Sequence, residues 1–152
     1  MIEPATPEDL DAILEIERHS FHSAWTRESF ERELVTHHAR IDVLRDDRRR
    51  VLAFHNYWLV ASSAELHVLS IATHPDVRRR GLAGRLLGHA MAAARVIGAT
   101  LATLEVRKGN APAIALYERL GFRTVHLRAR YYQDNDEDAL VMTCELANAS
   151  YL

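Results

Sequence analysis

Val77 to Arg85 reads V-R-R-R-G-L-A-G-R and lies where two periodicities meet. Before it, Ala64 to Thr73 is a strand candidate centred on His67-Val68-Leu69-Ser70-Ile71. After it, Leu82, Leu86, Leu87, Ala90, Ala94 and Ile97 keep helical spacing until Gly98 closes the helix. The stretch is therefore a strand-to-helix turn. Glycine allows a close backbone approach, and the first turn of a helix leaves N–H groups unpaired and aimed at a ligand. The helix dipole adds roughly half a positive charge there, and Arg78, Arg79, Arg80 and Arg85 add full charges. Alone, the turn reads equally well as an anion cradle or a solvated basic bend. It lacks the Gly-Lys-Ser/Thr ending of a Walker loop and the Rossmann spacing with its distal acid, so nucleotide hydrolysis is not expected.

Upstream, Thr6 reads as a helix N-cap with Pro7 at the first helical position, and Leu10, Ile13, Leu14 and Ile16 give that helix an apolar side. A second helix starts at Trp25-Thr26-Arg27-Glu28-Ser29, with Phe30 and Leu34 on one face. The period then alternates. Ala39 to Val43 and Val51 to Val60 are strands joined by the polar turn Arg45-Asp46-Asp47-Arg48, giving three antiparallel strands in sequence with the one around His67. Downstream come a strand over Thr100 to Val106, a helix over Ala111 to Leu120 ended by Gly121, and closing strands over Phe122 to Leu127 and Ala139 to Glu145. This is a mixed α/β order.

The chain has 152 residues and 48% hydrophobic content, which predicts a single domain spanning 1–152 with a real core. Nineteen Lys and Arg stand against 21 Asp and Glu, so any anion site is local and direct nucleic-acid binding is not expected. The one cysteine, Cys144, reads as a small strand residue, and no cluster has metal-ligand spacing, so no metal is expected. Neither a signal peptide nor a membrane span is read, which predicts a soluble cytoplasmic protein.

A second constellation lies downstream: Leu104-Glu105-Val106-Arg107, then Asn110, Ala113, Tyr117, Gly121 and Phe122. V-R-R-R-G-L-A followed by L-E-V-R-x-x-N-x-x-A-x-x-x-Y-E-x-x-G-F closely resembles the GNAT superfamily of acyl-CoA-dependent N-acetyltransferases. S-A-W-T-R-E-S-F, S-I-A-T-H-P-D, R-x-R-Y-Y and D-E-D-A-L-V-M narrow the likeness to its RimI group, the ribosomal-protein alanine N-acetyltransferases. Ala83 and Arg78 stand at variable positions of the family's R/Q-x-x-G-x-G/A signature. The resemblance implies an α/β (α+β) GNAT fold: a mixed, mostly antiparallel central sheet splayed in the middle, with helices on both faces. It further implies acetyl-CoA as cosubstrate. Backbone N–H groups of Arg79, Arg80, Gly81, Leu82, Ala83 and Gly84 would hold the pyrophosphate, and main-chain groups of Ile71, Ala72 and Thr73 the pantetheine arm.

Acetyl transfer to an amine needs a neutral nitrogen, a stabilised oxyanion and a protonated leaving thiolate. Glu105 is the candidate general base, acting through a water; the plainer reading is a surface carboxylate paired with Arg107 or Lys108. Tyr117 is the candidate general acid toward the CoA sulfur, although composition alone makes it a core tyrosine. Asn110 serves as a helix cap, a cofactor contact, or both. The resemblance places an oxyanion donor in the backbone near Ser70-Ile71. His67 and His74 flank this strand and stay outside the catalytic set. With Cys144 away from the motifs, direct attack in a ternary complex is expected over an acyl-enzyme.

At neutral pH an α-amine is deprotonated roughly a hundredfold more often than a lysine, which favours peptide N-termini as acceptors. The narrower resemblance implies the N-terminal alanine of a small-subunit ribosomal protein. Trp25, Tyr131, Tyr132 and Asp134 are the expected acceptor-groove residues, with Asp134, Asp136, Glu137 and Asp138 drawing in a basic segment or simply forming a charged loop. A lysyl or small-molecule amine acceptor, or a non-catalytic CoA-binding module, are the alternatives, and the sequence leaves oligomeric state open.

Overall fold

The computed structural model describes residues 1–149, so the last three residues of the expected domain lie outside the described residues. Seven strands form one sheet: β1 (Ile2–Pro4), β2 (Ala39–Arg45), β3 (Val51–Val60), β4 (Glu65–Thr73), β5 (Leu101–Arg107), β6 (Arg123–Tyr132) and β7 (Glu137–Glu145). Their order is β1-β2-β3-β4-β5-β7-β6. Every pairing is antiparallel except β4 with β5.

Alternation along the strands sends side chains to two cores. Ile41, Val43, Phe54 and Ala72 pack with Ile13, Ile16 and Phe30 of α1 (Leu10–Ser20) and α2 (Arg27–Val35). Leu44, Ala53, Leu66, Leu104 and Met142 face the other way, toward α3 (Leu82–Val96) and α4 (Ala111–Arg119). Helices therefore cover both faces, as the resemblance implied. Each fully buried Leu, Ile or Phe contributes about 1.5–3 kcal/mol by leaving water.

Three local differences from the sequence reading have physical causes. The acids after Pro7 build a 3₁₀ turn, Pro7–Asp9, before α1 begins at Leu10, and Asp9 accepts from the Thr6 amide at 2.9 Å. Asp9 also takes a two-pronged bond from Arg45 (2.8 and 2.7 Å), and Glu3 bonds the same guanidinium. That clamp fixes β1, a strand too short for alternation to announce, against β2. Third, β6 continues to Tyr132 and β7 starts at Glu137, so Tyr131 and Tyr132 end a strand rather than sit in a loop.

The splay is visible in the pairing. β4 meets β5 only from Glu65 to His67, opposite Leu101 to Thr103, and beyond that the two strands separate. In β4 the register with β3 jumps from Val68↔Tyr57 to Ser70↔Asn56, which leaves Leu69 as the extra residue of a β-bulge.

Candidate active site

Where β4 and β5 part, a cleft of about 740 Å³ opens between the sheet, the loop joining α1 to α2, α4, the end of β6 and the turn that follows it. Glu105, Tyr117, Asn110, Ile71, Trp25, Tyr131, Tyr132 and Asp134 all line it. Eight of the residues singled out from sequence thus meet in one cavity. The remaining cofactor candidates stand beside it.

Glu105 reaches the cleft because β5 alternates: Ala102, Leu104 and Val106 are buried, while Glu105 projects from the opposite face and is exposed. It does not pair with Arg107 or Lys108. Its carboxylate lies 3.9 Å from Arg128 Nε, and the Tyr131 hydroxyl rests against it, which raises the tyrosine's pKa. Tyr117 comes from the second turn of α4 and is 7% exposed, its ring tilted against Phe122 with centroids 5.9 Å apart. Burial, with Tyr132 adding to it, pushes the phenol up to about 12, so it holds its proton throughout the neutral range.

Asn110 caps α4, its Oδ1 accepting from the Ala113 amide at 3.3 Å, with Pro112 tolerated in the first turn. At the start of α3, Arg79 and Gly81 both adopt left-handed backbone, φ 66° and 74°. This alternation swings successive amides toward one side, and the first-turn amides of α3 follow them. A Cβ built on Gly81 meets nothing within 4 Å, so the glycine is set by its φ and the space in front of it is open. A Cβ on Gly84 would stand 3.3 Å from Leu116, which explains the small residue where α3 nears α4. Arg79, Arg80 and Arg85 remain exposed around the turn. Arg78 is engaged instead: Nε donates to the Thr73 carbonyl (3.3 Å), and its terminal nitrogen to the His19 carbonyl (3.4 Å) and Ser20 Oγ (3.3 Å). Beyond His67, the β4 edge turned toward β5 has no strand partner, leaving main-chain groups of Ile71 and the Thr73 N–H for an extended ligand, the Thr73 carbonyl being held by Arg78. Ala72 sends its side chain into the α1 and α2 core and offers only backbone. An open anion turn continuous with an unpaired strand edge fits a pyrophosphate followed by an amide-bearing arm.

Two groups take structural roles. Asp134 bonds Arg107 at 3.1 and 2.8 Å, Glu137 bonds the same guanidinium at 3.3 Å and the Gly109 amide at 2.8 Å, and Asp138 accepts from the Arg130 amide. These acids therefore build the β6–β7 turn, and Arg107, stacked 3.9 Å over Tyr132, pairs with Asp134 and Glu137. His67 pairs with Glu65 at 2.6 Å and His74 caps the 3₁₀ turn Pro75–Val77; neither lines the cleft. Sequence reading missed Glu17 and the bulged Leu69 in the cleft wall, and of Ser70 it named the backbone but not the hydroxyl. Only Glu17 carried a signal: Leu10, Ile13, Leu14 and Glu17 follow the i, i+3, i+4, i+7 rule, so a carboxyl occupies an apolar position.

Comparison with known proteins follows the same lines. The model of the Acetyltransferase (GNAT) family matches residues 10–122. The [ribosomal protein bS18]-alanine N-acetyltransferase of Salmonella typhimurium is 35% identical over 141 residues, covering 91% of this chain and 93% of that one. The crystal structure of the ribosomal-protein-S18-alanine N-acetyltransferase from Escherichia coli superposes with a TM-score of 0.87 at 32% identity, covering 96% of this chain and 93% of the other. Arabidopsis thaliana NAA60 in complex with acetyl-CoA shares the fold, with a TM-score of 0.84 at 20% identity over 97% of this chain and 99% of the other.

Proposed function

The chain belongs to the GNAT family of acetyltransferases, and from that premise we propose that it acetylates the α-amine of a peptide N-terminus, the N-terminal alanine of a small-subunit ribosomal protein, in the cytoplasm and as a single domain. That it is an acetyl-CoA-dependent N-acetyltransferase follows from the family and from relatives of that activity over most of its length. The observation that carries the finer reading is the meeting of a carboxylate and a buried, protonated phenol across one cleft beside the anion turn.

When bound, acetyl-CoA supplies a thioester carbonyl. The amides from Arg79 to Gly84 hold its pyrophosphate and the free edge of β4 aligns its arm. Glu105 removes the acceptor's proton through a water. The bulged backbone at Leu69 and Ser70 donates an N–H to the carbonyl oxygen as charge develops there. Tyr117 then gives its proton to the departing thiolate. Direct attack needs no nucleophile from the chain, consistent with Cys144 being 2% exposed in β7. Trp25, Tyr131 and Tyr132 wall the acceptor peptide; Asp134 contributes by fixing Arg107 and hence Tyr132, rather than by attracting charge.

The test is thiol release from acetyl-CoA with an Ala-initiated ribosomal-type peptide, spermidine and a lysine peptide with a blocked N-terminus. The proposal expects the first to be turned over at least tenfold more efficiently than the others. Preference for spermidine or lysine contradicts the α-amine assignment, and acetyl-CoA binding without release on any amine contradicts catalysis.

A further inference from the structure

Glu17 sits in the apolar stripe of α1, is 1% exposed, and has no part in the chemistry above. A buried carboxyl is expensive unless hydrogen-bonded, and a leucine there would fill the space without that cost. Both its oxygens are engaged. Oε2 accepts the Trp25 backbone N–H at 2.9 Å, and Oε1 accepts the Ser70 hydroxyl at 3.0 Å. Burial raises the carboxyl's pKa while these two donors pull it back.

The two donors belong to the two halves of the site. Trp25 ends the loop that forms one wall of the cleft and directly precedes Thr26, the N-cap of α2. Ser70 follows the bulged Leu69 on the strand whose free edge borders the cleft. One side chain therefore spans from the acceptor wall to the donor strand. The same end of α1 is tied to the anion turn through Arg78, which reaches His19 and Ser20.

We propose that Glu17 is a positioning residue: it fixes the α1–α2 loop against β4, so that the wall carrying Trp25 and the bulge at Leu69 face the acceptor at a set distance. The inference rests on the assignment of this cleft as the acceptor site. Because the strut holds the acceptor wall and leaves the anion turn intact, its loss weakens the acceptor's binding and spares the cofactor's.

Glu17→Gln keeps the shape and removes the charge; Ser70→Ala cuts only the bond to β4. Steady-state thiol release with the Ala-initiated peptide, calorimetry with acetyl-CoA, and acrylamide quenching of Trp25 in a Trp58→Phe background read the three consequences. Glu17→Gln should raise the acceptor KM about tenfold, the scale of one charge-assisted hydrogen bond. It should also increase Trp25 quenching and leave acetyl-CoA affinity within about twofold. Ser70→Ala, which cuts the same strut at its β4 end, should raise the acceptor KM several-fold. An unchanged KM with unchanged quenching in Glu17→Gln overturns the strut, as does a parallel loss of acetyl-CoA affinity. If the wild type turns over no peptide, the acceptor assignment fails, and quenching alone decides the strut: greater exposure of Trp25 upholds it, and no change overturns it. Should Glu17→Gln not fold, an unchanged acceptor KM in Ser70→Ala contradicts the proposal.

Discussion

Tyr117 shows how far a residue's chemistry depends on what surrounds it. By composition it is a core tyrosine and by the family resemblance a general acid; the structure leaves it 7% exposed, yet lining the cleft with a phenol that holds its proton. Tyr117→Phe should lower kcat by about 10²–10³ while calorimetry finds acetyl-CoA affinity unchanged, and Glu105→Gln should do the same, these being ordinary magnitudes for general acid or base catalysis. Near-normal kcat in either variant removes that residue from the mechanism. Both were legible because the motif that carries them has fixed spacing within one strand and one helix. Glu17 was not, since its partners Trp25 and Ser70 lie 8 and 53 residues away and only folding brings them together.

Elements were legible where a periodic run is long and bounded. α3 and α4 announced themselves through apolar spacing, Asn110, Gly98 and Gly121, and the structure places left-handed backbone at both glycines, φ 96° and 104°. β1 was hidden by its three-residue length, and the end of β6 by its exposed face, where Arg123 to Tyr131 shows no buried alternation. The turn before α3 carries the element-scale prediction. Gly81 has φ 74°, which costs an L-residue about 1–2 kcal/mol. Gly81→Val should shift that backbone and weaken acetyl-CoA about tenfold by calorimetry, with the acceptor KM at saturating cofactor little changed. Unaltered affinity would detach the turn from the pyrophosphate. A smaller effect is expected at the α4 cap: Asn110→Ala should lower stability by about 1 kcal/mol in urea denaturation.

At the scale of the whole molecule, the α/β class could be read from the order of elements, and helices on both faces from the family resemblance. The single parallel pairing, its end at His67, and the bulge at Leu69 could not, because strand order and register are set by contacts between distant segments. The fold also sets the response to acid. His55 is fully buried, facing α3 and the Tyr57 ring at 4.5 Å, and burial drives its pKa down to about 3; His89 lowers it further. An unfolded chain takes up that proton near pH 6.5, so stability is lost as pH falls from there toward 3, by roughly 2–3 kcal/mol at pH 4.5. Asp42 and Glu17 run the opposite way, burial having raised theirs, while Asp9, lowered by Arg45, adds its own loss below about pH 4. His55→Leu should therefore flatten the decline in urea stability between pH 7 and 4.5. An identical slope in wild type and variant would mean that His55 is not the group titrating. The catalytic predictions depend on one arrangement, in which the turn before α3 aims a thioester at Glu105 and Tyr117. A crystal structure of the complex with coenzyme A tests it most directly: the pyrophosphate should rest on the amides from Arg79 to Gly84 and the sulfur within hydrogen-bonding reach of the Tyr117 hydroxyl, whereas a sulfur directed away from both Tyr117 and Glu105 would contradict it.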